Sequence, residues 1–508
     1  MSYKSSLVHD FIRRLEHSQP TDIIARHAEI PWFDIGDASD RELLITHSSP
    51  CSFTLGTGAS IYTDVLIPAL ITAHHEVILV TCFWARSTTL SALHDALVKL
   101  AVHRRGLLAD ARSRGTAPIP PLRVRVCFSS RSLLQKLLHP QSKDGYIYPP
   151  SSWQAALGLP DPALMESAAI QLQAKSLFLL PFSVMHPKFV IVDRQRAFIP
   201  SCNVSWEPWL EGCVEVTGAA VGGLLSFYSR TWEPECGGAE PLLEQNRLLE
   251  LPAFNVQMAG PAMVASAAHR RAALLPESPS PIPTLLLPSS CHRSPHFRPF
   301  PWQKDPDPPG TPLNVALLAL FDGARRSIYV QSPNLTCQAV LWALLNALQR
   351  GVDVVIVTSR NLMLLEQLVT AGTTTSWCLR SLLRHFRRLE RMATEAHPDD
   401  LEPGRALGRL RISYFHPRPS LKTCAQGQRR LPRAQSEGEE PVHSHLKLIM
   451  VDEEYTVLGS GNLDRASWFT SQELGILFHS TDFASIVGAE VNGVLADRLD
   501  LVFDSAAH

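Results

Sequence analysis

The sequence predicts an α/β fold built from two copies of one unit, and two observations support this. Strands alternate with helices in the same order in two separate stretches of the chain, and one polar motif occurs once in each stretch. The alternation predicts mixed, largely parallel sheets covered by helices, so each copy is an α/β/α sandwich. The 508 residues suffice for two or more domains, and 45% hydrophobic and 19% charged residues are ordinary for a globular protein.

The first copy is predicted to alternate helix and strand from residue 62 onward. Apolar spacing predicts helices over residues 62–73 and 90–102, and apolar or alternating runs predict strands over 77–83 and 122–128. The stretch 106–121, which begins with a glycine and ends with prolines, is predicted to be a loop.

The second copy repeats this order, and this agreement does not depend on the polar motifs. Helices are predicted over residues 315–324 and 340–349, and strands over 327–331 and 352–358. The agreement between the two stretches indicates a duplication.

These patterns divide the chain into four parts. A helix over residues 7–15 lies in an N-terminal extension, and a polar, charged stretch at 418–440 is predicted to be a disordered insertion. The four predicted parts are the extension at 1–50, a first domain at 51–231, a proline-rich linker at 232–311 and a second domain at 312–508.

The polar motif of the second copy reads His-x-Lys-x4-Asp-x6-Gly-Ser-x-Asn. It comprises His445, Lys447, Asp452, Ser460 and Asn462, and the histidine and lysine stand two apart in an apolar run. A strand would therefore point both side chains to one face. A neutral imidazole can attack phosphorus, while an ammonium and an amide can hold the oxygens as charge builds.

One such motif supplies a nucleophile but no acid for the leaving group, so a second histidine is required. The first copy provides it in His186, followed at the same spacings by Lys188, Asp193, Ser201 and Asn203. Acidic residues follow both motifs at nearly equal spacings, as Glu215 and Glu473. Two matching motifs predict that the two copies face each other across one active site.

With these paired motifs the chain resembles the phospholipase D superfamily. The segment from Gly459 to Ser467 is most similar to the cardiolipin-synthase and bacterial phospholipase branch. The resemblance implies two phospholipase-D-like repeats related by a pseudo-two-fold axis around one site. It departs from the family pattern at Pro200, which stands where Gly459 stands in the second motif, and proline predicts a differently shaped turn.

The resemblance also implies a two-step reaction through a phosphohistidine. One histidine attacks, and the other protonates the leaving alcohol and later activates water or an acceptor alcohol. The sequence leaves both assignments open, and we prefer His186 as nucleophile and His445 as acid. Lys188, Lys447, Asn203 and Asn462 are expected to bind the phosphate oxygens, with Ser201 and Ser460 nearby.

The acidic residues are expected to play supporting roles. Glu215 and Glu473 are candidates for holding the second ring nitrogen of each histidine, which fixes its tautomer. Asp193 and Asp452 lie at the far ends of their strands and are expected to be structural. No metal and no cofactor are expected, because the lysines supply the positive charge.

Three functions are compatible with these residues. The favoured one is an enzyme that acts on phospholipids, either hydrolysing the headgroup ester or transferring the phosphatidyl group to an alcohol. A nuclease of the same fold is the alternative, disfavoured by the net charge of −1 and the lack of a long basic stripe. The third is a silent scaffold that binds anionic lipid through the basic amphipathic helix at residues 379–391.

The sequence predicts a monomer in the cytoplasm that contacts an internal membrane only peripherally, with no obligate nucleic-acid partner. No apolar run approaches the eighteen residues of a membrane span, and the N-terminus lacks the apolar core of a secretory signal. The ten cysteines include no Cys-x-x-Cys pair, which favours a reducing compartment.

Overall fold

The computed structural model describes most of the chain as two compact units. The first-motif unit comprises residues 48–279 and 419–441, and the second-motif unit comprises 1–47, 280–418 and 442–508. The described residues are 6–18, 30–139, 144–179, 183–233, 270–275, 281–290, 306–395, 406–418 and 440–506. Residues 419–439 of the insertion predicted at 418–440, and much of the predicted linker, therefore lie outside the described residues.

The first-motif unit contains a mixed sheet and several helices. Its strands are Ile45–Thr57, Glu76–Phe83, Leu122–Ser130, Tyr146–Ile147, Ile170–Ser176, Phe178–Leu179, Ser183–Val184, Phe189–Val192, Arg196–Pro200, Trp209–Thr217 and Arg271–Leu274. Its helical segments are Gly58–Ile61, Tyr62–Leu66, Ile67–Ile71, Thr88–Arg114, Leu133–Leu138, Pro150–Ser152, Trp153–Leu157, Pro162–Ser167 and Ala219–Trp232.

The second-motif unit has the same kind of architecture. Its strands are Ile282–Ser289, Ser327–Gln331, Asp353–Ser359, Leu410–Phe415, His443–Ser444, Leu448–Val451, Tyr455–Gly459, Glu473–His479 and Leu499–Asp504. Its helices are Ser6–Ser18, Ala38–Leu44, Pro312–Gly323, Gln338–Gln349, Leu364–Ala371, Thr375–Glu395, Arg465–Phe469 and Thr481–Leu495. Among the described helices, none combines the length and apolar character needed to cross a lipid bilayer.

The two sheets share one strand order, which supports the predicted duplication. In the first-motif unit the order is Ile45–Thr57, Trp209–Thr217, Arg196–Pro200, Phe189–Val192, Glu76–Phe83, Leu122–Ser130 and Ile170–Ser176. In the second-motif unit it is Ile282–Ser289, Glu473–His479, Tyr455–Gly459, Leu448–Val451, Ser327–Gln331, Asp353–Ser359 and Leu410–Phe415.

The α/β class and the mixed sheets are confirmed, but the sheets are not largely parallel. Within each order, only the last three strands pair in parallel, and the other pairings are antiparallel. The helix–strand alternation used for the prediction covers only the part of each sheet in which helices connect the parallel strands. The motif strands instead enter hairpins, which are antiparallel by construction.

Both motif hairpins are closed by the same kind of turn. Asp193 and Arg194 have φ of 50° and 57°, and Asp452 and Glu453 both have φ of 56°. Two consecutive residues in the left-handed region form a type I′ turn, whose twist matches that of paired strands. This turn fixes the register between each motif strand and the strand that ends at its serine.

The second predicted helix and the predicted linker differ from the observed structure. The helix Thr88–Arg114 continues through Gly106 into the predicted loop and ends at Gly115, which has φ of 62°. A single interior glycine costs a helix only about 1 kcal/mol, so it did not stop this one. The predicted linker contains the strands Arg271–Leu274 and Ile282–Ser289, each paired in a sheet.

The N-terminal extension includes part of the second-motif unit. Helix Ser6–Ser18 packs on helix Pro312–Gly323, and Arg14 donates to Asp322 at 2.7 Å. The Nε2 of Gln472 donates to the carbonyl of Ile30 at 2.9 Å, so Ile30 is also anchored to this unit. These contacts join residues distant in sequence, which is why the sequence pattern did not show them.

Candidate active site

The second motif places a histidine and a lysine in direct contact inside the protein. Lys447 Nζ lies 2.9 Å from both Nδ1 and Nε2 of His445. His445 is 2% exposed and Lys447 is 4% exposed. Both residues precede the strand Leu448–Val451, although the sequence predicted them within a strand. The contact therefore depends on the irregular backbone of residues 445–447, not on the alternation of a strand.

The first motif arranges its histidine and lysine differently. Lys188 Nζ donates to the backbone carbonyl of His186 at 2.8 Å. Lys188 is 1% exposed, whereas His186 is half-buried. Both again precede their strand, Phe189–Val192. The two copies therefore hold the same residue types in distinct local environments.

A serine–glutamate hydrogen bond anchors the turn of each motif. Ser460 Oγ donates to Glu473 at 2.5 Å, and Ser201 Oγ donates to Glu211 at 2.5 Å. Each serine hydroxyl also accepts from the backbone N–H of the residue that follows its glutamate. Ser460 Oγ accepts from Leu474 at 3.0 Å, and Ser201 Oγ accepts from Gly212 at 2.9 Å. These matching contacts identify Glu211 as the counterpart of Glu473.

The equivalence of Glu215 with Glu473 inferred from spacing is wrong. Glu215 forms an ion pair with Arg196 at 2.7 Å and accepts from Ser52 Oγ at 3.1 Å. Glu211 and Glu215 are four residues apart on the strand Trp209–Thr217, so alternation places them on one face. Only the register with Arg196–Pro200 selects the residue that meets Ser201, and sequence does not give that register.

Pro200 does not abolish the hydrogen bonds of the first turn. Ser201 N–H donates to the carbonyl of Gly212 at 2.8 Å, and the equivalent bond from Ser460 to Leu474 is 2.9 Å. Gly459 in the second turn has φ of 146°, and a Cβ there would lie 2.2 Å from the carbonyl oxygen of Leu474. Glycine is therefore required at 459, whereas the first turn keeps the same bonds with proline.

The two motif asparagines have different partners. Asn203 Oδ1 accepts from Phe83 N–H at 3.2 Å and from Thr81 Oγ1 at 3.4 Å. Asn462 is buried, its Nδ2 donates to Asp464 at 3.1 Å, and its Oδ1 has no hydrogen-bond partner in the described structure. An unsatisfied buried oxygen is costly and marks this turn as a place where a ligand could donate.

Both motif aspartates lie in the hairpin turns and bind backbone. Asp193 accepts from the N–H groups of His74, His75 and Glu76, at 2.7 to 3.2 Å. Asp452 accepts from those of Arg325, Arg326 and Ser327, at 2.7 to 3.3 Å. Each carboxylate thus joins its hairpin to the start of the central strand.

A loop that the sequence did not single out holds the second turn in place. Ser332 Oγ accepts from Leu463 N–H at 3.1 Å, and Thr336 Oγ1 accepts from Arg465 N–H at 3.1 Å. Leu335 also forms a β-bridge with Leu463. This loop follows the strand Ser327–Gln331. The small polar residues directly after that predicted strand could have indicated it in the sequence.

Burial controls the ionisable groups beside the motifs. Burial and the neighbouring Glu211 raise the pKa of the Cys202 thiol well above its usual value, so the thiol stays protonated. Burial lowers the pKa of His443, which stands two residues before His445. Within the described residues, no cluster of three or more histidine, cysteine or acidic side chains could hold a metal ion.

The fold and site define a duplicated α/β protein with a buried His-Lys pair and a Ser-Glu-anchored turn. Residues 317–494 match the family model described as cardiolipin synthase, PLD-like domain. This part of the chain is therefore a phospholipase-D-like domain, and the predicted resemblance to the phospholipase D superfamily is confirmed for these residues. No curated protein matched the chain.

Several solved structures are similar to the chain at low sequence identity. Phosphatidylserine synthase of Haemophilus influenzae Rd KW20 is 13% identical over 97% of this chain and 92% of that chain, with a TM-score of 0.46. Polyphosphate kinase of Porphyromonas gingivalis is 10% identical over 89% and 48%, with a TM-score of 0.42. The phospholipase D family member Nuc of Salmonella typhimurium is 17% identical over 37% and 90%, with a TM-score of 0.23.

Proposed function

We propose that the protein is a phospholipid phosphodiesterase or phosphatidyltransferase that uses both motifs in one active site. The observation that carries this proposal is the buried contact between Lys447 Nζ and both ring nitrogens of His445. An ammonium next to an imidazole is a donor set suited to the non-bridging oxygens of a phosphodiester. The match of residues 317–494 to a cardiolipin synthase, PLD-like domain supports a lipid substrate.

We assign the nucleophile to His445 and the acid to His186, the reverse of the preference drawn from sequence. Lys447 Nζ, 2.9 Å from both ring nitrogens of His445, could hold a phosphate oxygen beside the attacking nitrogen. Lys188 instead donates to the backbone carbonyl of His186. A half-buried histidine can also exchange protons with solvent.

The proposed reaction has two steps. A ring nitrogen of His445 forms a bond to phosphorus as the phosphorus–oxygen bond to the headgroup breaks, and His186 gives its proton to the departing oxygen. His186 then removes a proton from water or an acceptor alcohol, whose oxygen attacks phosphorus as the phosphorus–nitrogen bond breaks. Lys188 and Lys447 neutralise the phosphate oxygens, Asn203 and Asn462 lie beside them, and Glu211 and Glu473 hold the turns through Ser201 and Ser460.

The first experiment is product analysis by mass spectrometry. The purified protein is incubated with phosphatidylglycerol or phosphatidylcholine vesicles in EDTA, beside His186→Ala, His445→Ala and the control His479→Ala. His479 pairs with Glu454 at 2.6 Å and lies outside the motifs. We expect phosphatidic acid or cardiolipin from the wild type and the control, and no product from the two motif variants.

The absence of lipid product from the wild type would contradict the proposal. The same protein would then be tested on single-stranded oligonucleotides for the nuclease alternative. Turnover on neither substrate would favour a silent scaffold that binds anionic lipid through the basic helix at 379–391.

A second experiment tests which histidine attacks. A p-nitrophenyl phosphodiester has a leaving group that departs without an acid, so it separates the two roles. We expect His186→Ala to release a stoichiometric burst of p-nitrophenol and to gain the mass of the phosphoryl adduct, and His445→Ala to do neither. The opposite pattern would restore His186 as the nucleophile.

A further inference from the structure

Helix Leu364–Ala371 presents apolar side chains to solvent. Leu364, Leu365, Leu368 and Val369 are exposed, Leu365 to 77% and Val369 to 56%, whereas Gln367 and Ala371 are the residues it buries. A surface helix normally buries its apolar side chains and exposes its polar ones. A contiguous exposed apolar patch of this kind marks an interaction site.

The next helix, Thr375–Glu395, also exposes a tryptophan and several arginines. Trp377 is 56% exposed, and it lines a shallow groove of about 400 Å³ together with Arg380, Leu383, Arg384 and Arg387. The opposite side of the helix is buried in the unit through Leu379, Leu382 and Phe386. Arg380, Arg384 and Arg387 are exposed on the helix that follows the apolar one, with Arg387 also lying over the ring of Phe503 at 5.6 Å.

We propose that these two helices form a docking surface for a membrane that contains anionic lipid. The docking surface comprises Leu364, Leu365, Leu368, Val369 and Trp377 as its apolar part, and Arg380, Arg384 and Arg387 as its basic part. Exposed aliphatic side chains insert among acyl chains, tryptophan lies at the headgroup level, and arginines pair with phosphates. The inference rests on the proposed function for its purpose, since that function needs a lipid substrate.

Charge complementarity favours a lipid surface over a protein partner. Within the described part of the chain, no carboxylate forms an ion pair with Arg380, Arg384 or Arg387. Three arginines along one face match a surface that is uniformly negative. The aliphatic residues lie on a separate short helix, so the apolar and basic parts can contact a bilayer at two depths.

The docking surface is joined to the candidate site by buried hydrogen bonds. Gln367 Oε1 accepts from Thr375 N–H at 2.7 Å and from Thr375 Oγ1 at 3.0 Å. The same Thr375 hydroxyl accepts from Leu335 N–H at 3.0 Å. Leu335 is bridged to Leu463 in the motif turn. A bilayer bound to the docking surface is therefore held at a fixed position relative to that turn.

Vesicle flotation of the full-length protein tests the inference without any need for turnover. Vesicles of phosphatidylcholine alone are compared with vesicles containing about one third phosphatidylglycerol, at low and high salt. Two variants of the docking surface are used, Val369→Asp and the triple variant Arg380→Gln, Arg384→Gln, Arg387→Gln. Circular dichroism and thermal unfolding confirm that each variant is folded.

Helix Thr88–Arg114 offers matched control positions. Val102 is 58% exposed, close to the value for Val369, and Arg105, Arg112 and Arg114 are exposed arginines. The controls are Val102→Asp and the triple variant Arg105→Gln, Arg112→Gln, Arg114→Gln. They introduce the same changes of charge on another surface.

We expect the wild type and both controls to float with anionic vesicles and to be released by salt. Each arginine near an anionic surface contributes about 1 kcal/mol, so the triple variant should bind roughly a hundredfold more weakly. Val369→Asp should bind about tenfold more weakly, because one apolar contact is lost and a negative charge is added. Docking-surface variants that float like the wild type, or a wild type that ignores anionic lipid, would overturn the inference.

The outcomes separate this inference from the proposed function. A wild type that floats but makes no product from any lipid would overturn the proposed function alone. A protein that hydrolyses dispersed short-chain phospholipid but does not float would overturn the docking surface alone. A wild type that remains in solution and self-associates through Val369 would assign the patch to a protein contact and would also overturn the inference.

Discussion

At the scale of single residues, a serine–glutamate pair defines each motif turn as clearly as the histidine and lysine do. The 2.5 Å bonds from Ser201 to Glu211 and from Ser460 to Glu473 recur with the same backbone partners. A hydrogen bond to a charged group contributes about 1.5–3 kcal/mol, so each pair can hold its turn in one conformation. The turn then positions the motif asparagine.

Replacement of the glutamates tests this equivalence. We expect Glu211→Gln and Glu473→Gln each to lower kcat/KM roughly tenfold to a hundredfold, because the loosened turn no longer fixes the site. Glu215→Gln removes only a partly exposed ion pair with Arg196, which contributes about 0–1 kcal/mol to stability. Steady-state kinetics on a common substrate gives the comparison. A larger loss from Glu215→Gln than from Glu211→Gln would support the original spacing-based equivalence.

At the scale of elements, the type I′ hairpins connect the motif residues to the centre of each sheet. In the second-motif unit the hairpin joins Leu448–Val451 to Tyr455–Gly459, so His445 and Ser460 lie at the same end of adjacent antiparallel strands. Asp452 secures the other end by accepting three backbone N–H groups. The motif aspartate thus stabilises the hairpin at the end that lies away from the histidine.

Asp452→Ala should therefore act on stability. We expect the free energy of unfolding to fall by about 3 kcal/mol, because backbone donors lose their acceptor and alanine is disfavoured at positive φ. Asp452→Asn keeps one acceptor oxygen and tolerates positive φ, so it should cost about 1 kcal/mol. Urea denaturation measures both changes.

A surface aspartate provides the comparison for that measurement. Asp500 pairs with Arg360 at 3.0 Å, and both side chains are about half exposed. Asp500→Ala should stay within about 0.5 kcal/mol of the wild type. A similar small effect from Asp452→Ala would show that the backbone contacts of the motif aspartate are not stabilising.

At the scale of the whole molecule, the shared strand order makes the chain a tandem duplication with one motif in each copy. Each copy alone holds one motif histidine, whereas the proposed two-step reaction needs two. Our proposal is therefore that a single chain contributes both motifs to one site. This arrangement predicts that the protein works as a monomer.

Mixing two inactive variants tests this prediction. When His186→Ala and His445→Ala are combined, no chain carries both histidines, so activity should stay at the level of the separate variants. Size-exclusion chromatography of the mixture provides the control for association. Recovery to a quarter or more of wild-type activity would show that motifs from two chains can form one site.

The sequence by itself determined the duplication, the α/β class and the motif residues. These features are encoded locally. The spacing from His445 to Asn462 and the alternation of helix and strand can be read from short stretches of the sequence. The phospholipase-D-like character of residues 317–494 followed from the same short-range pattern.

Only the tertiary structure decided features that depend on pairing between distant segments. The register of Trp209–Thr217 with Arg196–Pro200 selected Glu211 over Glu215, and two residues on one face of a strand cannot be ranked by spacing. The contact of Lys447 with the His445 ring depends on irregular backbone that no periodicity describes. The exposure of Leu365 and Val369 was also invisible in sequence, because an apolar residue is buried or exposed according to what packs against it.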